Sequence, residues 1–458
     1  MGINTEILKD TVYNLCLMAA QNLSVQAYKI LREEYKKNPS QKLANILKNA
    51  KTAAEKNKPL CQDTGTVHVF LDIGNDVSFD KNPYEAINNG VSKCYKDNFF
   101  RKSITENLLI SAKNTQDNTP AIIETEYHSG NDVVIRVLLK GAGCDNVSSV
   151  EMMLPNTTEE DLVDFVGQKV LEKGKNACPP LFVSVSCGGS ASNVLKNAEK
   201  NYFSDTKNAL SEKIKNKINS LADEKYNKFF AADVKLSLYP HHMASFPVGI
   251  SINCHSLRVA QAKINSDNSV IYSKTVQNYE EVQKSNDNKI KEVLTSDLET
   301  IKNLQEGENI LLTGEILIAR DAAHRRMKKI LDNGDKLPFE IKDKIIFYAA
   351  PCPPKPDEIT GSIGPTTSSR MDKYIPEFPQ LAGTIGKGVR SKAVQEYIRK
   401  NNKVYFEVEG GIAAILSSKF TSYEIIAFEE LLSEAVAIAT VKQLPVTVSI
   451  SKNQIETN

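Results

Sequence analysis

Three cysteines lie at the ends of predicted strands, where turns can bring their sulfur atoms to one point. Cys61 follows a proline-led turn that enters a strand, Cys178 directly precedes a second strand, and Cys254 directly follows a third. Thiolates are soft ligands that select zinc or iron–sulfur clusters. The long spacings between these cysteines are not those of a zinc finger, and the sequence contains no Cys-x-x-Cys pair. A cluster with three cysteine ligands is therefore one interpretation.

A cluster held by only three cysteines would keep an open coordination position, which a fourth ligand would fill. A four-iron cluster usually takes four cysteines, so three leave one iron with an open position. An open metal position can bind substrate and act as a Lewis acid, which suits the removal of a poor leaving group such as hydroxide. Taken from spacing alone, the residues favour the simpler interpretation that scattered cysteines are small buried hydrophobic side chains.

Two further cysteines leave the ligand set open. Cys144 lies in GAGCDN and Cys187 lies in SCGGS, and both adjoin glycine-rich turns whose backbone N–H groups could face an anion. Either cysteine could be a ligand or the neighbour of one. Cys16, Cys94 and Cys352 are predicted to be packing residues.

Candidates for acid–base chemistry accompany the cysteines. Gln62 and Asp63 directly follow Cys61, so the Asp63 carboxylate could move protons at a hydroxyl beside the metal. The alternative is that Asp63 begins an Asx turn. His242 precedes Cys254 by twelve residues. A lone histidine is more often structural than catalytic, and its position beside a candidate ligand adds modest support for a catalytic role.

Three loops in the C-terminal part of the chain predict an anion site. Arg320 ends a predicted strand, at the edge where ligands bind in α/β sheets, and Asp321 is a candidate N-cap of the following helix. The run GPTTSSRMD contains Thr366 and Arg370, and hydroxyls beside a guanidinium suit a carboxylate. Lys387 lies between glycines just before a helix. Together the loops favour a polyanionic ligand, and the absence of phosphate-binding glycine motifs disfavours a nucleotide.

The intervening sequence predicts the elements that would position these residues. Ser24 and Ser40 are predicted to cap N-terminal helices, and Thr158 is predicted to cap another whose first turn is acidic. Strands are predicted at 67–73, 181–186, 247–253, 268–273, 309–312, 315–319, 345–349, 403–408 and 445–449, with a hairpin over 120–140 and helices at 322–332 and 391–400. The polar run at 276–305 predicts a domain boundary near Asn288. These patterns predict an α/β protein.

Composition limits the class of protein further. The 458 residues include 57 Lys and Arg against 56 Asp and Glu, and this balance gives no pull toward nucleic acid or anionic membranes. No apolar run is long enough to span a bilayer, and the charged N-terminus does not resemble a signal peptide. Eight cysteines are too few for a disulfide scaffold. We therefore expect a cytoplasmic protein with no membrane or nucleic-acid partner.

Six motifs, in this order, resemble those of one enzyme family. They are PLCQDTG, the CPP that contains Cys178, HHMASFPVG before Cys254, RDAAH, GPTTSSRMD and GKG. This series resembles class I fumarate hydratases, which are oxygen-sensitive iron–sulfur hydro-lyases closely related to L-tartrate dehydratase. The resemblance covers nearly the whole chain, with the alpha and beta components fused. It implies a large mixed α/β cluster-binding domain at 1–288 and a swivelling β/β/α domain at 289–458, with the active site between them in a homodimer.

The resemblance also implies roles for individual residues. It implies a [4Fe–4S] cluster held by Cys61, Cys178 and Cys254, with the fourth iron open to a small dicarboxylic acid. The implied catalytic residues are Asp63, Thr366 and His242, and the implied substrate-binding residues are Gln62, Arg101, Arg320, Arg370 and Lys387. The expected reaction is the reversible hydration of fumarate to L-malate, and the alternative is dehydration of tartrate to oxaloacetate.

The chain departs from the family pattern at three places. Ala142 and Cys144 stand where the family usually has glycine and serine, Cys187 lies in a run that usually ends in GGT, and FYAAPCPP stands where YxGP is usual. In the family these positions lie near the cluster or the substrate, so the departures bear on substrate identity. Two rival hypotheses are a non-catalytic cluster that carries electrons or senses oxygen, with four protein ligands, and a zinc site.

Overall fold

The structure is a computed structural model that describes residues 2–107, 109, 113–205, 208–282 and 290–453. It divides into two compact units. The first unit comprises Met1–Pro59 and Asp63–Glu281, and the second comprises Leu60–Gln62 and Val282–Asn458. Both units mix helices and strands, which confirms the predicted α/β class. The boundary predicted near Asn288 lies outside the described residues.

The elements of the described residues have the following bounds. The helices are α1 Thr5–Gln21, α2 Val25–Lys37, α3 Gln41–Glu55, α4 Pro83–Asp97, α5 Ala142–Asp145, α6 Glu159–Gly174, α7 Val194–Lys200, α8 Ala209–Leu221, α9 Leu298–Asn303, α10 Asp321–Asp332, α11 Lys392–Lys400 and α12 Ala413–Ser417. The strands of the first unit are β1 Gly2–Ile3, β2 Thr66–Gly74, β3 Ser78–Phe79, β4 Ile122–His128, β5 Val133–Lys140, β6 Ser149–Met153, β7 Leu181–Gly189, β8 Ala231–His241, β9 Phe246–Asn253, β10 Val259–Ile264 and β11 Val270–Tyr272. The strands of the second unit are β12 Lys291–Leu294, β13 Asn309–Ile318, β14 Ile345–Phe347, β15 Gly383–Gly386, β16 Val404–Glu407, β17 Phe420–Ala427 and β18 Val436–Ile450.

Three predicted helix caps are confirmed. The Ser24 side chain accepts a hydrogen bond from the backbone N–H of Ala27, and the Ser40 side chain accepts one from that of Leu43. Thr158 forms a reciprocal capping box with Asp161 at the start of α6. Each cap satisfies an N–H group that has no partner within its own helix.

The first unit contains a five-stranded sheet in the order β11-β10-β5-β2-β4. The predicted hairpin over 120–140 is wrong, because β4 and β5 do not pair with each other. They flank β2 instead, β4 in parallel and β5 antiparallel. The apolar residues of β2 are buried on both faces, so this strand is central and has a partner on each side. The loop between β4 and β5 crosses the end of β2, where Gly74 N–H donates to the Asp132 carbonyl at 2.9 Å.

A second sheet of the first unit places two of the predicted cysteines. Its order is β6-β9-β7-β8, and β7 runs antiparallel to β9 with Phe182 opposite Asn253. Cys178 precedes the start of β7, and Cys254 follows the end of β9. In an antiparallel pair the start of one strand lies beside the end of the other, so the two cysteines lie at the same end of the sheet.

The second unit is built on a seven-stranded sheet in the order β12-β13-β14-β15-β16-β18-β17. The first five of these strands are parallel, and β18 is antiparallel to both β13 and β16, so it closes the sheet on itself. The strands predicted at 309–312 and 315–319 are one strand, β13, which is interrupted by an irregularity between Leu312 and Gly314. The polar run 276–305 contains β12 and α9, which its weak periodicity did not predict.

A buried ionic network supports the end of β5. The Lys140 ammonium is fully buried in contact with the Glu199 carboxylate, and it lies 3.2 Å from the Asp145 carboxylate. Glu199 also pairs with the His68 Nδ1 at 3.0 Å. Burial raises the pKa of Glu199, but the hydrogen bonds from His68 and Lys140 outweigh burial and hold the pKa below its usual value.

Replacing Lys140 with Met should destabilise the protein by about 3–5 kcal/mol, because it leaves the Glu199 carboxylate buried without its ammonium partner. The K140M/E199Q double variant should lose less stability than K140M, since no unpaired charge is left. Lys263→Met, at a half-exposed pair with Asp132, should change stability by less than about 1 kcal/mol. Urea unfolding followed by circular dichroism measures all three variants. Wild-type stability in K140M would contradict this account of the network.

Candidate active site

The Asp63 side chain of the first unit is held by several donors. Its Oδ1 lies 3.0 Å from the Arg101 Nη2, and its Oδ2 accepts the Ala142 backbone N–H at 2.9 Å. The Arg258 Nη1 donates to the Asp63 carbonyl at 2.5 Å. A carboxylate fixed by a guanidinium and a backbone amide has a defined direction, as a group that moves a proton at one substrate atom requires.

The turn after Asp63 explains why Arg101 reaches it. Gly65 adopts φ +81°, and a Cβ there would lie 2.6 Å from the Lys140 carbonyl oxygen, so only glycine fits. The Thr64 hydroxyl donates to the Arg101 carbonyl at 2.7 Å, and the Tyr95 hydroxyl donates to the Thr64 carbonyl at 3.0 Å. These bonds join the turn to the backbone that carries Arg101, whose side chain is nearly buried.

Cys178 and Cys254 are linked through His255. The Cys178 carbonyl lies 3.0 Å from the His255 Nδ1, and Cys178 itself adopts a left-handed conformation with φ 60°. A hydrogen bond from Cys144, together with the charges of His255 and Arg258, outweighs burial and holds the pKa of the Cys254 thiol well below its usual range. The thiolate form, which binds metals, is thus favoured at Cys254.

Cys144 and Cys187, which left the predicted ligand set open, have different surroundings. Cys144 lies on α5 and hydrogen bonds to Cys254, an interaction that together with burial holds its own pKa well above the usual value. Cys187 packs in the hydrophobic core of the first unit, where burial raises its pKa to about 12. In the part of the chain that the structure describes, no three His, Cys, Asp or Glu side chains are already gathered around one metal position. The donor chemistry of Cys178 and Cys254 nevertheless fits two ligands of a thiolate-bound cluster.

His242 lies in the turn that connects β8 and β9. Its side chain is exposed, and its Nδ1 accepts the backbone N–H of Ala244 at 3.1 Å. The ring is therefore oriented by its own turn.

In the second unit, Asp321 joins two of the predicted arginines. Its Oδ2 lies 3.2 Å from the Arg320 Nε and 2.8 Å from the Arg370 Nη2. Asp321 is the first residue of α10, whose N-cap is Arg320, so the interpretation of Asp321 as an N-cap is wrong. The Arg370 Nη2 also donates to the Thr366 hydroxyl. A guanidinium is thus held against a hydroxyl group by a carboxylate.

Lys387 belongs to the same edge of the sheet. Its backbone N–H donates to the Thr366 carbonyl at 3.2 Å, and its carbonyl accepts the Ser368 N–H at 2.9 Å. Arg320 follows β13, the Thr366 N–H donates to the carbonyl of Tyr348 just beyond β14, and Lys387 follows β15. Since these three strands are parallel, their carboxyl ends meet at one edge, where α/β sheets bind ligands.

Gln62 contacts the loop that carries Thr366. Its side-chain amide donates to the Pro365 carbonyl at 3.3 Å, and its Oε1 lies 3.4 Å from the Cys61 sulfur. A Cβ on Gly364 would lie 2.5 Å from that Oε1, so the glycine of the GPTTSSRMD run makes room for Gln62. Cys352 is buried as predicted, and its thiol also donates to the Gln62 carbonyl at 3.4 Å.

Two residues that contact the predicted site, Arg258 and Glu434, were not among the predicted site residues. Arg258 holds the Asp63 carbonyl, and its position four residues after Cys254 was an available signal. Glu434 pairs with the Arg320 Nη2 at 3.1 Å. Nothing in the sequence around Glu434 marks it, because only the pairing of β13 with β18 brings it near Arg320.

Comparisons with known families identify the family of the chain. The family model described as "Fumarate hydratase (Fumerase)" matches residues 5–263, and the model described as "Fumarase C-terminus" matches residues 262–455. The chain is therefore a hydro-lyase that belongs to the fumarate hydratase family, with both family regions in one polypeptide. This result confirms the family predicted from the six motifs.

Individual relatives cover most of the chain. It is 31% identical over 439 residues to "Fumarate hydratase 1, mitochondrial" of Leishmania major, which covers 87% of this chain and 79% of the relative. It is 28% identical over 490 residues to "Fumarate hydratase class I, aerobic" of Escherichia coli K12, which covers 96% of this chain and 88% of the relative. A "Putative L(+)-tartrate dehydratase subunit alpha" of Methanocaldococcus jannaschii is 33% identical over 280 residues, covering 57% of this chain and 98% of the relative. Among the described residues, no helix is both long enough and apolar enough to cross a membrane.

His324 holds the backbone at Arg320. Its Nδ1 lies 2.9 Å from the Arg320 carbonyl, so that nitrogen carries the proton. Its Nε2 is buried and, within the described part of the chain, has no hydrogen-bond partner. Burial lowers the pKa of His324 from 6.5 to about 4. The ring is therefore neutral at physiological pH.

The low pKa of His324 predicts a pH dependence of stability. Between about pH 6.5 and pH 4 the unfolded chain binds this proton more readily, so the free energy of unfolding should fall by up to about 3 kcal/mol as the pH falls. His324→Asn, which retains an N–H donor near Nδ1, should flatten that slope. Urea unfolding at pH 7, 6, 5 and 4 measures the slopes. Equal slopes in H324N and wild type would contradict this prediction.

Proposed function

We propose that this chain is a class I fumarate hydratase that catalyses the reversible hydration of fumarate to L-malate. The strongest support is the contact between the Thr366 hydroxyl and the Arg370 guanidinium, at a sheet edge that also carries Arg320 and Lys387. A dicarboxylate needs cationic partners for both carboxylates in a site that excludes water. The substrate also needs a proton acceptor beside one of its carboxylates. The arrangement offers cationic groups as well as a candidate proton acceptor.

We propose that Cys61, Cys178 and Cys254 hold a [4Fe–4S] cluster with one open iron. Support comes from the lowered pKa of Cys254 and from the position of Cys178 at the same end of the sheet. When bound, the cluster would supply a Lewis acid for the hydroxyl oxygen of the substrate. In this proposal Cys144 is a hydrogen-bond partner of Cys254, and Cys187 is a packing residue.

The substrate carboxylates are assigned to the cationic groups. Arg101, Arg320, Arg370 and Lys387 would neutralise and orient the two carboxylates, because guanidinium groups bind carboxylates through paired hydrogen bonds. Gln62 would donate or accept a hydrogen bond at the substrate through its amide. Holding both ends of the diacid fixes the carbon atom that loses or gains a proton.

Two proton transfers are assigned to different groups. In the dehydration direction, Thr366 would accept the proton from the carbon beside a carboxylate. A threonine hydroxyl is a weak base, and the adjacent Arg370 guanidinium stabilises its deprotonated form. Asp63, oriented by Arg101 and the Ala142 N–H, would in its protonated form deliver a proton to the departing hydroxyl and be left as a carboxylate. His242, on its exposed turn, would exchange that proton with solvent.

The second candidate function is L-tartrate dehydratase. It is favoured by the likeness to the archaeal alpha subunit and by 34% identity over 133 residues to a "Putative L(+)-tartrate dehydratase subunit beta" of the same organism. The two substrates differ by one hydroxyl group, which a site built to hydrogen bond it discriminates strongly. Anaerobic turnover of malate and of tartrate by one preparation decides between them, and a large preference for tartrate would replace the fumarate assignment.

The proposal extends to the state of the enzyme in the cell. We propose a cytoplasmic homodimer that acts on a small dicarboxylic acid and has no membrane or nucleic-acid partner. The near-zero net charge supports the last point. Size-exclusion chromatography with light scattering tests the dimer.

The cluster proposal makes a prediction about single cysteines. Anaerobically purified protein should contain about four iron and four sulfide per chain. Cys178→Ser and Cys254→Ser should each lose most of that content and the hydration of fumarate, because each removes a thiolate ligand. Cys187→Ser, at a core position, should retain the content. Iron and sulfide assays with a fumarate absorbance assay, before and after aeration, measure these outcomes. Iron-free protein with full activity would overturn the proposal.

The role of Arg370 predicts a large kinetic effect. Arg370→Lys keeps the charge but loses the planar guanidinium, whose Nη2 contacts both Asp321 and Thr366, so kcat should fall about 100-fold. Arg325→Lys, on the exposed face of α10, is the matched control and should be within twofold of wild type. Unchanged kinetics in R370K would remove Arg370 from the site.

A further inference from the structure

We infer that Glu434 is a positioning residue for the substrate-binding guanidinium of Arg320. The inference deepens the proposed function and rests on it. Glu434 belongs to no motif in the sequence, and it lies in the connection between β17 and β18. Its role follows from sheet register, from two contacts made by one carboxylate, and from the backbone that presents it.

The register of the sheet brings Glu434 to Arg320. Strands β13 and β18 are antiparallel, with Ile318 opposite Ala437. Arg320 lies two residues beyond Ile318, and Glu434 lies three residues before Ala437. Continuing the register past both strand ends therefore places Glu434 beside the start of α10.

The Glu434 carboxylate makes two contacts there. Its Oε1 lies 3.1 Å from the Arg320 Nη2, and its Oε2 accepts the Ala322 backbone N–H at 2.7 Å. Ala322 is in the first turn of α10, where N–H groups have no partner within the helix. Anchored by this helix, the carboxylate holds one terminal nitrogen of the guanidinium, while Asp321 holds the Nε at 3.2 Å. Two carboxylates therefore determine the plane of the Arg320 fork.

The backbone that presents Glu434 is unusual. The 3-10 segment Glu429–Glu434 contains Leu432 with φ 54° and ψ −119°, and it follows Phe428 with φ 60°. Bulky residues with positive φ are costly and persist where the surrounding structure holds them, commonly at functional sites. This strained connection carries the residue that contacts Arg320.

The position of Glu434 has a kinetic consequence. A dicarboxylate approaching Arg320 meets a guanidinium whose plane is already fixed. The Arg320 side chain therefore loses less conformational freedom when the transition state is reached. Without the Glu434 charge, Arg320 remains cationic and attracts dicarboxylates at least as strongly. Its fork is then no longer fixed, so turnover should fall while binding does not weaken.

A double-mutant cycle on the anaerobic full-length enzyme tests the inference. Glu434→Gln should lower kcat per cluster at least tenfold, with an unchanged or lower KM for malate and an unchanged or lower inhibition constant for succinate. In an R320K background, E434Q should lower kcat less than twofold further, because the group it positions is gone. Glu430→Gln, an exposed residue of the same segment, is the control and should match wild type.

Two results would overturn the inference. The first is a kcat of E434Q within twofold of wild type. The second is a fall in kcat on adding E434Q that is as large in the R320K background as in wild type, which is what a merely structural effect would give. If the wild-type enzyme turns over neither malate nor tartrate, the proposed function fails. Succinate calorimetry then tests the inference separately: E434Q should bind succinate at least as tightly as wild type because Arg320 keeps its charge, and weaker binding contradicts it.

Discussion

Two guanidinium groups at the ligand-binding edge of the second unit share one carboxylate oxygen, the Oδ2 of Asp321. Without it, the two guanidinium groups would repel each other, and each would lose a partner that fixes its direction. Asp321 can do this because it begins α10 directly after Arg320, so one short stretch of chain supplies both a cation and its counter-charge. The Arg370 nitrogen that contacts this oxygen also donates to the Thr366 hydroxyl.

Around Asp63, in the first unit, the arrangement of charges is reversed. There a single carboxylate is held by a guanidinium and a backbone amide, and a second guanidinium holds its carbonyl. In both units the charged groups are fixed by partners that belong to turns and helix ends. The sheets beneath them determine where those turns lie. Fixed charges of this kind need little reorganisation during a reaction, which is how electrostatic stabilisation becomes effective.

Much of this arrangement could be predicted from the sequence, and the remainder shows what local patterns lack. Ser24, Ser40 and Thr158 were predicted as caps because capping depends on residues three positions apart. The hairpin at 120–140 was wrong because alternation identifies strands but not their partners. The motif residues Arg320, Thr366, Arg370 and Lys387 meet at one edge because parallel strands have a common direction.

Glu434 could not be predicted in this way. It lies 114 positions from Arg320, and only the register of two strands joins them. The role of Asp321 was also misassigned, because a carboxylate at a helix start is usually a cap and only the tertiary structure shows two arginines around it. Long-range ionic partners of this kind carry no periodic signal.

The closing strand β18 has a consequence for synthesis of the protein. It is the final strand of its sheet and pairs with β13, β16 and β17. During translation the second unit would leave the ribosome as an open sheet with unsatisfied backbone groups until Val436–Ile450 emerged. The larger first unit can collapse while the second unit is still being made, so chaperone engagement should concentrate on nascent chains that stall before Val436.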